Sequence, residues 1–248
     1  MLLSTGDAGE SRVADAYRIG VVIPAAGSGR RMGLAERKQY IRVGGKPLLL
    51  HTLEAFDHIR AVKSIVVVVP AADVASVTAM VRRARAGNVH AVVPGGAERQ
   101  DSVWCGLQAF ATPPDIVLVH DAVRPLVAGR VIRAVARAAA AHQAAVVGVR
   151  VKDTIKVEEP SGFYARTIDR SALWAVQTPQ GFRWELLLHA HRKAREDGFV
   201  GTDEASLVER LNLPVRIVEG DYDNIKVTTP EDLAICRFLM KSGRFLKK

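Results

Sequence analysis

At 248 residues, 48% hydrophobic and 25% charged, the chain has ample apolar material for one large α/β domain and the composition of neither a disordered nor a fibrous protein. Its longest apolar runs, such as Ile65 to Val69, fall far short of the roughly 20 residues that cross a bilayer, so no membrane partner is expected. The formal charge of +9 raises a nucleic-acid reading. However, apart from the solvated cluster Arg82, Arg83 and Arg85 the basic residues are dispersed without interleaved aromatics, so no nucleic-acid partner is expected and a small polyanionic substrate accounts for the charge as well.

Residues 1–18 contain Asp7, Glu10 and Asp15, lack the apolar core of a secretory signal, and are expected to form a flexible N-terminal extension ahead of one domain over 19–248. From there, Val- and Ile-rich runs alternate with helical segments. A strand over Gly20–Pro24 leads to a helix near Pro47–Phe56, a strand over Ser64–Val69 to a helix near Asp73–Arg85, and a strand over Val89–Val93 to a helix over Arg99–Phe110. A strand over Ile116–His120, a helix around Val131–His142 and a strand over Ala145–Val149 continue the βαβ rhythm. Crossovers of this length predict a three-layer, Rossmann-like α/β fold with a mostly parallel sheet. The rhythm breaks over 149–170, where two polar extended runs flank "EEPSG", a β-hairpin signal; with little to bury, this hairpin is expected to project, either as an ordinary solvent-exposed hairpin or as an arm that docks on another subunit. Helices over Arg183–Asp197 and Thr202–Leu211, a strand over Val215–Val218 and a helix over Pro230–Lys241, opened by Thr229 and Pro230, complete the chain. Cys105 and Cys236 are too far apart for a disulfide framework or CxxC pair, which points to a reducing cytoplasm.

The first strand runs into "VVIPAAGSGRRMG". Gly27, Gly29 and Gly33 give G-x-G-x-x-x-G, with Met32 where a dinucleotide fingerprint needs its third glycine, and no G-x-x-x-x-G-K-[ST] phosphate loop exists. What remains is a turn of small residues through which backbone N–H groups can approach an anion, followed by Arg30, Arg31 and Lys38; it fits a triphosphate lying across the strand's C-terminal end. "PGGAERQDSV", "HDAVRP" and "GDYDNIKVT" follow other strands and can converge on the same crevice. Asp121 ends an apolar strand, where an aspartate is costly unless it meets a cation or caps a turn; Ser102 caps the next helix or donates to a ligand; Arg124 holds phosphate or pairs with Asp121. His189 and His191, two apart on a helix, lack the spacing of a zinc pair and are read as surface residues. No G-x-S-x-G nucleophile elbow is present.

"PAAGSGRRMG", "KQY", "GGAERQDSV", "HDAVRP", "KDTIK", "TIDRSALW", "QTPQGF", "TDEASLVE" and "DNIKVT", in this order from about Ile19 to Met240, resemble the 2-C-methyl-D-erythritol 4-phosphate cytidylyltransferases of the non-mevalonate isoprenoid pathway. The resemblance implies the nucleotide-diphospho-sugar transferase fold and a reaction of CTP with methylerythritol phosphate, with Mg²⁺ or another divalent cation. It implies Arg31 and Lys38 as catalytic transition-state stabilisers. Pro24, Ala25, Ala26, Gly27, Gly29, Gly95, Gly96, Ser102, Asp121 and Ala122 would hold the nucleotide. Arg124, Thr154, Arg170, Thr202 and Lys226 would hold the second substrate, and Asp121 and Asp223 the metal. In the family the hairpin embraces a second subunit, so the resemblance implies a homodimer in which Arg170 and Thr154 complete the partner's site.

Two departures stand out: Arg37 where the family usually has proline before the lysine, expected to loosen the loop or add a phosphate contact, and Val123 for a common alanine. No bifunctional fusion with a later enzyme of that pathway is expected. The rival readings are a cytidylyltransferase for another polyol phosphate, such as ribitol 5-phosphate, and a non-catalytic nucleotide-binding protein on the same fold.

Overall fold

The computed structural model describes residues 17–27 and 37–243. Seven strands build the central sheet: β1 (Ile19–Pro24), β4 (Val62–Val69), β5 (Val89–Pro94), β6 (Ile116–Val119), β7 (Ala144–Arg150), β10 (Trp174–Arg183) and β11 (Arg216–Glu219), in the order β11-β7-β10-β6-β1-β4-β5. All neighbours pair in parallel except β10, which is antiparallel to both β6 and β7. Strands β2 (Arg42–Val43) and β3 (Lys46–Pro47) form a small ribbon beyond the glycine turn, and β8 (Ile155–Glu158) pairs with β9 (Tyr164–Ile168) as a separate hairpin.

The unbroken apolar runs of β1, β4 and β6 follow from burial on both faces. Val21, Ile23, Ile65, Val67, Ile116 and Leu118 point to one side, against helices α1 (Leu48–Asp57), α2 (Val74–Ala84) and α4 (Gly129–His142). Val22, Val66, Val68, Val117 and Val119 point to the other, against α3 (Arg99–Gln108), α5 (Trp184–Glu196) and α6 (Glu204–Glu209). The three-layer, mostly parallel architecture expected from the sequence is thus present. The last helix, α7 (Pro230–Ser242), starts as expected: Thr229 Oγ1 accepts from the Asp232 N–H at 3.3 Å, with Pro230 in the first turn. Leu233, Cys236 and Leu239 of α7 pack with Val123, Leu126 and Val227, which fixes the loops after β6 and β11 at one end of the sheet.

Strand β10, like the short β2–β3 ribbon, is not foreseen in the sequence. Pro179, Gln177 and Gln180 interrupt its apolar pattern, and the register with β7 shifts between Gln177 and Gln180 to accommodate them. Its antiparallel direction follows from its connection: β7 and β10 are neighbours joined without a crossover helix, and the β8–β9 hairpin is inserted between them. The hairpin is exposed along most of both strands, as its polar sequence predicts, with Phe163 75% and Tyr164 65% exposed.

Tyr17 and Arg18, assigned by the sequence reading to the extension, are held by the fold: the Arg18 N–H donates to Asp115 at 2.7 Å, and the Arg183 guanidinium lies 4.6 Å from the centre of the Tyr17 ring. Residues 1–16 of that extension lie outside the described residues. Cys105 and Cys236 are both free thiols, and among the described residues no helix is long and apolar enough to cross a membrane.

Candidate active site

The C-terminal ends of β1, β5 and β6 open onto a cleft of about 460 Å³, within the ~300–1,000 Å³ usual for small-molecule sites. Pro24, Ala25, Ala26 and Gly27 line it as β1 ends. The Ala25 N–H is spent on the Val68 carbonyl at 2.6 Å, so the exposed part of the turn begins at Ala26. Opposite stands the single 3-10 turn Lys38–Tyr40, which brings Lys38 to the cleft. Two anchors fix that turn. Buried Gln39 donates through Nε2 to the Ala25 carbonyl at 2.7 Å, while Tyr40 donates to Asp73 Oδ2 at 2.9 Å and Arg37 Nε lies 3.3 Å from the same oxygen. Burial and the Asp73 carboxylate push the Tyr40 hydroxyl well above its ordinary range, so it stays a donor at every working pH. Arg37 is therefore engaged with Asp73, and its φ of −66° is one that proline also adopts; the turn is anchored rather than loosened.

The β5 side of the cleft carries Gly96 and Ser102; Gly95 stands behind them and does not line it. A Cβ on Gly95 would lie 2.6 Å from Ser102 Oγ and 2.7 Å from Ala26 Cβ, so the β1 and β5 loops approach each other only because this residue is glycine. Ser102 does not cap α3. Glu98 is the N-cap, in a capping box with Asp101, and Ser102 lies a turn further in, its Oγ donating to the Glu98 carbonyl at 3.1 Å.

Asp121 sits at the end of β6 among three cations: Lys226 Nζ at 3.0 Å, Arg124 Nε at 3.3 Å and Arg99 Nε at 3.7 Å. Burial alone would raise its pKa, but Lys226, Arg99 and Arg124 outweigh that and hold it far below the usual carboxylate range. Its position is set through the backbone. The Asp121 N–H donates to Thr178 Oγ1 at 3.0 Å, and Thr178 in turn meets His120 Nδ1 at 3.1 Å. His120 Nε2 lies 3.0 Å from the Arg124 carbonyl, which can only accept; the ring hydrogen is on Nε2 and Nδ1 accepts from Thr178. Arg124 is buried and donates to the Asn224 carbonyl at 2.8 Å, and the Val227 N–H reaches the Val123 carbonyl at 2.9 Å; together these seat the segment that carries Lys226.

A second cavity of about 210 Å³ adjoins the first, lined by Arg124, Gln177, Thr178 and Thr202 among others; Arg99, Asp121 and Lys226 line both. Two adjoining polar cavities with a shared cationic boundary suit two anionic molecules that react where they meet.

Residues 19–242 match the family model of 2-C-methyl-D-erythritol 4-phosphate cytidylyltransferase (IspD). A protein of that name from Pelotomaculum thermopropionicum is 48% identical over 226 residues, covering 91% of this chain and 95% of its own length. The crystal structure of 4-diphosphocytidyl-2C-methyl-D-erythritol synthase from Anaerococcus prevotii superposes with a TM-score of 0.82 at 28% identity, covering 93% of this chain and 99% of its own. That of the cytidylyltransferase from Thermus thermophilus gives 0.72 at 36% identity, covering 90% and 99%.

The chain belongs to the 2-C-methyl-D-erythritol 4-phosphate cytidylyltransferase family. Of the residues that the cytidylyltransferase resemblance singles out, the fold brings Pro24, Ala25, Ala26, Gly27, Lys38, Gly96, Ser102, Asp121, Ala122 and Lys226 to the first cavity, and Arg124 and Thr202 to the second. Arg31 and Gly29 lie outside the described residues. Thr154 and Arg170 are exposed at the base of the hairpin and line neither cavity of their own chain; the Arg170 guanidinium donates to the Lys152 carbonyl. Asp223 lines neither cavity either.

Among the described residues, no three His, Cys, Asp or Glu side chains gather as a metal cage. Mg²⁺ is commonly held by one or two carboxylates together with substrate phosphates and water. Asp121, ionised and lining both cavities, fits that arrangement.

Two features of the site and one buried histidine are not foreseen from the sequence. Arg99 pairs with the buried Glu204, and Thr178 with His120 fastens Asp121. His191 is not a surface residue: it is fully buried in α5, its ring 6.0 Å from that of Trp104, whereas His189 is exposed. Leu187, Leu188 and Ala194 mark the buried face of α5, and a residue three or four positions from each shares that face.

Proposed function

We infer that this chain transfers the cytidylyl group of CTP to 2-C-methyl-D-erythritol 4-phosphate, releasing pyrophosphate. The observation that carries this is the pair of adjoining cavities with Arg99, Asp121 and Lys226 on their common boundary. A phosphate oxygen of the alcohol phosphate forms a bond to the α-phosphorus of CTP, and the bond from that phosphorus to the β-phosphate oxygen breaks in line. The electron pair leaves with pyrophosphate. No protein nucleophile is needed, so the side chains position two anions and offset charge in the transition state.

In this reading CTP occupies the larger cavity. Its triphosphate lies against Ala26 and Gly27 with Lys38 on the transferring phosphorus, joined by Arg31, and its base lies towards Gly96 and Ser102. Asp121 holds the ribose and would also hold a divalent cation, which would supply neutralisation of the polyphosphate and polarisation of the reacting phosphorus. Lys226, Arg124 and Thr202 orient the methylerythritol phosphate in the smaller cavity. Two copies of the chain exchange their hairpins, so that Thr154 and Arg170 serve the partner's site. The exposed strands of the hairpin and the aromatic Phe163 and Tyr164 at its tip support this. Two free cysteines agree with a cytoplasmic location.

Pyrophosphate release from CTP with methylerythritol phosphate, ribitol 5-phosphate and other polyol phosphates in turn tests the reading. Turnover only with methylerythritol phosphate is expected. Preference for another polyol phosphate would transfer the assignment to that substrate, and CTP binding without turnover would make this a nucleotide-binding protein. Light scattering that finds a fully active monomer would refute the exchanged hairpins.

A further inference from the structure

Arg99 lies on the boundary of the two cavities, and its setting differs from that of Lys226 and Arg124. Its Nη1 donates to both carboxylate oxygens of Glu204 at 2.8 Å, while its Nε stays 3.7 Å from Asp121. Glu204 is 1% exposed and Arg99 30%. Each is the first residue of its helix, Arg99 of α3 and Glu204 of α6, and both helix starts are pinned. Gln100 Nε2 donates to the Phe199 carbonyl at 3.0 Å and its Oε1 accepts from the Gly201 N–H at 2.8 Å; Gln180 Nε2 donates to Asp203 Oδ2 at 2.7 Å. The pair is thus clamped from both sides and joins elements 105 residues apart.

A buried ion pair contributes little to stability compared with apolar side chains of the same volume, because both ions lose hydration. Glu204 carries that cost without lining either cavity, and what it secures is the direction of the Arg99 guanidinium. Without it the Arg99 guanidinium, whose Nε already lies 3.7 Å from Asp121, would lose the partner that fixes its direction, and the boundary would lose a directed cation.

We propose that Arg99 binds substrate phosphate at the junction of the two cavities, and that Glu204 is the positioning residue that holds its guanidinium there. This rests on the cytidylyl-transfer reading for the identity of the two anions, but not for the anion-binding role itself. In turnover the Arg99 guanidinium faces the phosphoryl oxygens that gain charge as pyrophosphate leaves.

The test is a double-mutant cycle on the full chain with Arg99→Ala, Glu204→Gln and the double variant, read by calorimetric CTP binding with Mg²⁺ present and by kcat and KM. Arg99→Ala is expected to weaken CTP binding about tenfold or more and to lower kcat/KM by ~10²–10³, the usual scale for a preorganised charged donor. Glu204→Gln is expected to lower kcat/KM about tenfold and mainly through kcat, because the guanidinium remains but is misdirected. The double variant should be no worse than Arg99→Ala alone, since Glu204 acts only through Arg99. Circular dichroism and melting identify any variant that misfolds, and Arg99→Lys, which keeps charge and cannot present the planar fork, then takes the place of Arg99→Ala with a partial loss expected. Additive losses in the cycle, or wild-type CTP affinity and kcat/KM in folded Arg99→Ala, would overturn the proposal. Should the wild type turn over no polyol phosphate, the transfer reading falls while the CTP-binding arm still decides the role of Arg99.

Discussion

Acidification from pH 8 to pH 5 should destabilise the fold through two buried histidines, and replacing His191 by leucine should remove one share of that loss. Burial pushes His120 down to about 4; the Arg124 carbonyl and Asp121 favour its protonated form but do not compensate. Burial likewise pushes His191 down to about 4, helped by the nearby Arg99 and Arg195 charges and opposed by Asp101. In the unfolded chain both titrate near ~6.5. Between those values the unfolded state binds protons that the folded state refuses, so stability rises with pH across this window and falls on acidification. At pH 5 each histidine is about 1.5 units below its unfolded pKa and still neutral in the fold, which amounts to ~2 kcal/mol per residue. Neither ring nitrogen of His191 has a hydrogen-bond partner among the described residues, so leucine sacrifices no bond there. Urea denaturation of wild type and His191→Leu at pH 8, 7, 6 and 5 measures the difference directly. The variant's stability relative to wild type should improve by ~2 kcal/mol between pH 8 and pH 5, or roughly 4–8 °C in melting temperature at this chain length. Activity at pH 8 should be unchanged, because His191 lines neither cavity. A relative stability independent of pH would refute the reasoning.

Lys38→Ala should lower kcat by ~10²–10³ while Gln39 and Tyr40 keep its turn anchored; near-normal pyrophosphate release would remove Lys38 from the catalytic set. Gly95→Ala should cost ~1–3 kcal/mol and weaken CTP binding, because the new methyl meets Ser102 and Ala26, whereas Gly27→Ala, with nothing among the described residues within 4 Å of its Cβ, should cost less; equal melting losses in the two variants would show that the β1 and β5 loops adjust freely. If Arg170 serves the partner's site, Arg170→Ala and Lys38→Ala chains, each nearly inactive alone, should recover about a quarter of wild-type activity when co-expressed in equal amounts. Half of the randomly paired dimers are then mixed, and each holds one intact site. No recovery in isolated mixed dimers would confine Arg170 to its own chain.

The sheet was legible wherever a strand is buried on both faces, because β1, β4 and β6 are apolar at nearly every position. β10 was not, because its inner half carries Gln177, Thr178 and Gln180, polar side chains that serve the site and so erase the strand's pattern. The cleft could be located from polar motifs after several strands, since parallel strands put all their C-terminal ends at one edge. What each polar residue does there was less legible. Ser102 and Arg124 each leave two readings open in the sequence; Glu98 and Asp101 take the cap role from Ser102, and the Arg124 guanidinium lies between Asp121 and the Asn224 carbonyl. The Arg99–Glu204 pair spans 105 residues, and no local spacing announces it. For His191 a signal existed in the spacing from Leu187, Leu188 and Ala194, whereas its spacing from His189 bears only on metal binding.

The charges of the site are paired, not massed. Lys226, Arg124 and Arg99 face Asp121, and Glu204 answers Arg99; Lys38, Glu98 and Asp203 line the same two cavities, so cations and carboxylates stand side by side around them. Asp121 holds Lys226 and Arg124 together, and Glu204 holds Arg99. A fold that only bound a nucleotide could place its cations in the larger cavity alone. Here the cationic boundary lies between two cavities, where the transferring phosphorus and the attacking phosphate must both come, and that position favours transfer over mere binding.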